Sequence, residues 1–241
     1  MNTDVVVETV RRHLTSAGYI SYCVLIALTG ILAATFHKPA HLWPMLVTVL
    51  AIITGAAVIG PEFSTATLQL IVSRPIPRPV YLLSRVTGVL LSVAFAAVVG
   101  GTSEAFSRLV SGSHDVPWSV LAPALVNSLL TSLQTIALLT LLGSVTRSYF
   151  NVAIYAGVEV SLSAAETLLG LVRASAKFSG QLIPAVARLE KTLIALDDLL
   201  FPDVPLPAST GWYLRVAATI AAALTLACLA FERREVPYGG D

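Results

Sequence analysis

The chain has 241 residues, of which 56% are hydrophobic and 12% charged, where an ordinary soluble domain carries roughly 25% charged residues. Such a composition suits lipid as the solvent, and a formal net charge of +1 leaves no basic footprint for a nucleic-acid partner. Cys23 and Cys228 both fall in apolar runs without metal or disulfide spacing, so they read as small buried hydrophobes.

The apolar runs do not alternate with period two, which disfavours a β-barrel and leaves helices as the way to satisfy the backbone in hydrocarbon. The fold class expected is an all-α polytopic membrane protein forming a single transmembrane domain over 1–241. Taking about 18 residues as the length that crosses a core roughly 30 Å thick, six spans are predicted, at about 19–36, 42–60, 86–106, 118–142, 149–171 and 211–231.

Residues 1–18 read as an interfacial lead-in helix. Val6, Val7, Val10, Leu14 and Ala17 fall near helical spacing, with Arg11, Arg12 and His13 beside them. A cleaved signal peptide is the rival reading, but the first apolar run is long for a signal core, and its loss would leave five spans.

After the second span comes GPEFSTATLQLIVSRPIPRP, Gly60 to Pro79. Glu62, Thr65, Gln69 and Ser73 recur at helical spacing, with Phe63, Ala66, Leu68 and Leu70 on the other faces. This predicts a short amphipathic helix at the membrane surface within the segment 61–79. Pro61 suits its first turn and Pro75 stops it near Arg74, and Pro77 and Pro79 are expected to hold Ile76 and Arg78 extended before the third span. The plainer reading is a tight loop with arginines that set topology.

Glu104, Glu159 and Glu166 lie inside or near the ends of spans, and Glu159 and Glu166, seven apart, share a helix face. Intramembrane ionisable groups are functional candidates by default, so these three are the candidates for a translocation pathway. Protonated or hydrogen-bonded groups facing the bundle are the plainer alternative.

In the loop 172–210, Leu189, Leu193, Leu196 and Leu200 form a stripe with Glu190, Lys191, Asp197 and Asp198 beside it. This predicts a helix on, or shallowly in, the outer surface. Pro202, Pro205 and Pro207 end it before Trp212 and Tyr213, which suit an interfacial belt at the last span.

Arg11, Arg12, Arg74, Arg78, Arg85, Arg147, Arg233 and Arg234 all fall on one side of a six-span layout. That side is expected to be cytoplasmic, with both termini inside a cell (cytoplasmic or inner) membrane. The chain has no Gly-Lys pair and hence no phosphate-cradling G-x-x-x-x-G-K-[ST] loop. It also has no H-E-x-x-H. It is therefore not expected to be an enzyme, to have catalytic or metal residues, or to bind a cofactor itself.

The stretch EFSTATLQLIVSRPIPR, Glu62 to Arg78, resembles the cytoplasmic signature after the second span in permease subunits of type-2 ATP-binding cassette (ABC) exporters. Glu62 stands at the acidic position, Ala66-Thr67-Leu68 at a small-Thr-Leu step, and Arg74-Pro75-Ile76-Pro77-Arg78 at an arginine-proline elbow. The family usually has glycine where this chain has Ala66, and often a lysine at Ser84-Arg85.

The resemblance implies that this element is a coupling helix which docks into a cytoplasmic ATPase through Glu62, Phe63, Thr67, Leu68, Arg74, Pro75 and Arg78. It further implies two ATPase subunits that use ATP and Mg, and a second permease, identical or homologous. The rival functions are a proton-coupled secondary transporter using Glu159 and Glu166, and a non-transporting membrane scaffold.

Overall fold

The computed structural model describes residues 1–35, 42–59, 76–111, 118–146, 149–174, 183–201 and 208–233. All regular structure among them is helical: α1 (Thr3–Leu14), α2 (Ala17–Thr35), α3 (Leu42–Ala56), α4 (Arg78–Val110), α5 (Trp118–Val145), α6 (Phe150–Ala174), α7 (Ile183–Leu200) and α8 (Thr210–Arg233). Four of these, α4, α5, α6 and α8, are long and apolar enough to cross a membrane, and a fifth span results if α1 and α2 form one span broken by a 70° bend. Four to five apolar spans mark a multi-pass membrane protein.

Each helix has a local cause. Asn2 caps α1, its side chain accepting from the N–H groups of Asp4 and Val5, and Arg11, Arg12 and His13 occupy the last turn, where cations suit the helix dipole. Val6 and Thr9 are buried, Val5 and Leu14 pack on the core, and Arg11 and Arg12 are exposed.

The helix α4 starts earlier than the run 86–106 suggests. Pro77 is its N-cap, Pro79 lies in its first turn, and Arg78 is already helical. The expected extended elbow at Arg78–Pro79 is thereby corrected: proline is tolerated in a first turn because its missing N–H has no partner to lose. With 33 residues at about 1.5 Å each, α4 is roughly 50 Å long, well beyond a hydrocarbon core. By contrast α3 is only 15 residues long and passes into a turn at Ala57–Ile59.

The broadest interfaces join α2 to α4, α5 to α8, α3 to α5 and α1 to α4. The end of the bundle that carries α1 is called proximal here, and the opposite end distal. At the distal end α2 and α4 come within backbone contact. A methyl on Gly30 would collide with Ser103 Oγ and lie 2.7 Å from the Gly100 carbonyl oxygen.

The helix α7 differs from the surface helix expected of 172–210. Gln134 Nε2 donates to the Leu199 carbonyl at 2.6 Å, and Gln134 lies about 24 Å along α5 from Trp118, given 1.5 Å per residue. Phe201 stacks edge-on against Tyr155, with centroids 4.7 Å apart. Tyr155 is near the start of α6 and Phe201 just past the end of α7, so α7 runs back antiparallel to α6. The Leu199 carbonyl, one of those a helix C-terminus leaves without an intrahelical partner, gains its donor from Gln134. The helix is also rotated relative to the leucine stripe. Glu190, Leu193, Asp197 and Leu200 are half-buried, whereas Leu189 and Leu196 are exposed.

Gly30→Ala should destabilise the protein by about 1–3 kcal/mol through overpacking, whereas Gly170→Ala, which meets nothing within 4 Å, should leave the melting temperature unchanged or raise it. Thermal unfolding in detergent separates the two outcomes.

Candidate functional site

The stretch that resembles a docking signature falls in sequence between α3 and α4. Of the residues expected to contact an ATPase, Glu62, Phe63, Thr67, Leu68, Arg74 and Pro75 lie outside the described residues, and only Arg78 lies within them. Its Nη1 donates to the Glu232 carbonyl at 3.3 Å, placing a cation at the C-terminal end of α8, which the helix dipole favours.

The end of α3 is more elaborate. A helix leaves its last carbonyls without intrahelical partners, and here Val58 and Ile59 are each 1% exposed, so water does not supply donors. Side chains from other helices do. Asn151 Nδ2, at the start of α6, donates to the Ala56 carbonyl at 3.1 Å and to the Leu139 carbonyl at 3.3 Å. Arg85 of α4 donates from Nε to Val58 O at 3.3 Å and from Nη2 to Ala57 O at 3.4 Å. Its Nη1 donates to Thr9 Oγ1 of α1 at 3.2 Å, and the Thr9 hydroxyl donates in turn to Val5 O at 2.7 Å. The described residues on either side of 60–75 are therefore held by other helices, Ala56–Val58 by α4 and α6 and, through Arg85, α1, and Arg78 by α8.

In the sequence Arg85 reads as a topology signal and, with Ser84, as the place where the resembled family often has lysine, and Asn151 carries no signal. Arg85 could have been singled out as a charged residue within a long apolar helix, the pattern that marks expensive and hence purposeful groups.

His13, on α1, lies close to this cluster. Its Nδ1 is 2.9 Å from the Thr9 carbonyl. Burial lowers its pKa below the usual 6.5, the charges of Arg85 and Arg12 act in the same direction, and the bond to Thr9 opposes them.

The three carboxylates are not gathered into one site. Glu104 is fully buried near the distal end, where Oε1 accepts from Arg108 Nε at 3.0 Å and Nη2 at 2.7 Å, and Oε2 accepts from Trp43 Nε1 at 2.8 Å. Both oxygens are engaged, so Glu104 ties α3 to α4 as a structural joint. Glu159 and Glu166 lie on α6, which packs chiefly on α7 and α5 and not broadly on α4. Glu159 is exposed and no hydrogen bond or ion pair holds it among the described residues. Glu166 is half-buried, and its Oε1 is buried without a hydrogen-bond partner. Across from it α7 presents Glu190, Asp197 and Asp198, and Asp198 pairs with Arg215 of α8 at 3.2 Å. Two further polar atoms, Ser132 Oγ and Gln134 Oε1 of α5, are buried without partners.

No protein-family model matches the chain, and no curated protein matches it in sequence.

Two predictions follow from these environments. Glu104→Leu should cost about 3–5 kcal/mol, because it strips the partner from a largely buried Arg108, and adding Arg108→Met should recover part of that loss in the same denaturation assay. His13 should make stability pH-dependent. A pKa lowered on folding means that stability is fully present above about pH 6.5 and falls as pH drops through the lowered value. The decline in melting temperature between pH 7.5 and 5.5 should be smaller in His13→Gln than in the parent chain.

Proposed function

We propose that the chain is the membrane-spanning permease subunit of a type-2 ABC exporter and forms a translocation pathway together with a second, identical or homologous permease. On this reading α2, α3, α4, α5, α6 and α8 are six spans, α1 is an interfacial helix, and the proximal end faces the cytoplasm with both termini. Residues 61–79 are the coupling helix, and each of two partner ATPases, which bind ATP and Mg, takes up one such helix.

The observation that carries the reading is the anchoring of both ends of this segment. Asn151 binds the last carbonyl of α3 and Arg85 the two carbonyls of the turn that follows it, and Arg78 binds the last turn of α8. A docking element can move a bundle only if its ends are attached to the helices that must move. Swinging a two-state equilibrium from 1:99 to 99:1 requires about 5.5 kcal/mol of differential binding, and a slack loop would dissipate it. The exposed carboxylate Glu159 adds support for a second permease, since a bare carboxylate does not face hydrocarbon and needs protein or water beside it.

Glu159 and the unpartnered Glu166 oxygen also favour a second reading, a proton-coupled transporter without an ATPase. Affinity purification from native membranes distinguishes the two. The exporter reading expects a stoichiometric ATPase whose binding weakens at least about 30-fold, a hot-spot loss of about 2 kcal/mol, in Glu62→Arg or Phe63→Asp. Transport that follows the pH gradient, is lost in Glu159→Gln and involves no ATPase would establish the alternative.

A further inference from the structure

Among the partners of Arg85 are groups from two different parts of the chain. One edge of its guanidinium, Nε and Nη2, faces the consecutive carbonyls Val58 and Ala57, and the remaining nitrogen Nη1 faces Thr9 of α1. Arg85 is 8% exposed and Thr9 1%, so neither end of this bridge can exchange its partner for water at low cost.

The approach of α1 is itself built for the contact. Thr9 sits against Gly88, one turn along α4 from Arg85, where a methyl would lie 2.6 Å from Thr9 Cβ and 3.1 Å from the Val6 carbonyl. A larger residue at 88 would hold α1 away from the guanidinium. One turn earlier, the Asn2 N–H donates to Ser84 Oγ at 2.8 Å, and Ser84 donates to Val80 O at 2.7 Å. The same face of α4 therefore holds α1 at its start and its middle, and one residue on that face also holds the exit of α3. Lysine could not replace Arg85 here, because a single ammonium lacks the rigid fork that meets two carbonyls and a hydroxyl at once.

We propose that Arg85 is a positioning residue that makes α1 and the turn after α3 move as one body, so that a load arriving through the stretch after Ile59 is delivered to α1 as directly as to α3. Only the source of that load rests on the coupling role proposed for residues 61–79. The linkage itself does not.

The test is hydrogen–deuterium exchange of the full chain in nanodiscs, following peptides from α1 (3–14), the end of α3 (50–59) and distal α4 (96–110). Arg85→Gln should raise exchange at α1 and at the end of α3 together, by at least about tenfold, and leave distal α4 unchanged. Thr9→Val keeps the shape that packs on Gly88 and removes only the oxygen, so it should raise exchange at α1 alone. With the partner ATPase bound, the parent chain should gain protection at both α1 and the end of α3, and Thr9→Val only at the latter.

Unchanged α1 exchange in Thr9→Val overturns the proposal, even if Arg85→Gln fails to fold. So does an Arg85→Gln chain in which the two peptides respond by clearly different factors. If the parent chain binds no ATPase, the coupling reading fails, while the two variants still confirm or refute the linkage by exchange alone.

Discussion

The capping of α3 is the constraint on which the proximal half of the molecule depends. Each carbonyl left unpaired away from water costs several kcal/mol in an apolar medium, and the turn after α3 has Val58 and Ile59 buried. Three successive carbonyls, of Ala56, Ala57 and Val58, are met by Asn151 and Arg85. Because those donors sit on α6 and α4, satisfying the backbone at the end of one helix also ties it to two others. Thr9 then draws α1 into the same arrangement through Arg85.

The distal end is held differently. There Trp43, Glu104 and Arg108 form a buried polar joint between α3 and α4, while Gly30 lets α2 lie against α4. Together the two ends make α1 to α5 a well-packed body. Half of the most apolar stretch of α4 and 56% of that of α5 is buried, against 6% for α6 and 22% for α8. The helices α6 and α7 are thus the loosely packed part, and sparse packing is where motion concentrates. They also carry Glu159 and Glu166 and the acidic residues of α7. In the exporter reading, the rigid part receives the load and the sparse part opens.

The helical class and the positions of α2, α5, α6 and α8 were legible in the sequence because long uninterrupted apolar runs have few other solutions in a membrane. The start of α4 was not, because Pro77 and Pro79 read equally well as an extended elbow or as the first turn of a helix, and only packing decides. The path of α7 was hidden for a related reason. Its leucine stripe describes an amphipathic helix, but the donor that meets its C-terminus, Gln134, lies on another helix far away in sequence. Glu104 was grouped with Glu159 and Glu166 by residue type. Its engagement by Trp43, 61 residues distant, is a tertiary fact, although Arg108 one turn away on the same helix was a local hint. The caps at the end of α3, Arg85 and Asn151, were not legible, since a cap supplied from another helix leaves no spacing to read.

Whether residues 61–79 meet an ATPase, as proposed, is decided by a photo-reactive benzophenone amino acid introduced at Phe63 and activated in native membranes. The expected product is a covalent adduct with a chain that contains a nucleotide-binding G-x-x-x-x-G-K-[ST] loop, in a yield that changes when ATP is added. Adducts with lipid or with a second copy of this chain alone, under conditions where the protein still transports, would contradict it.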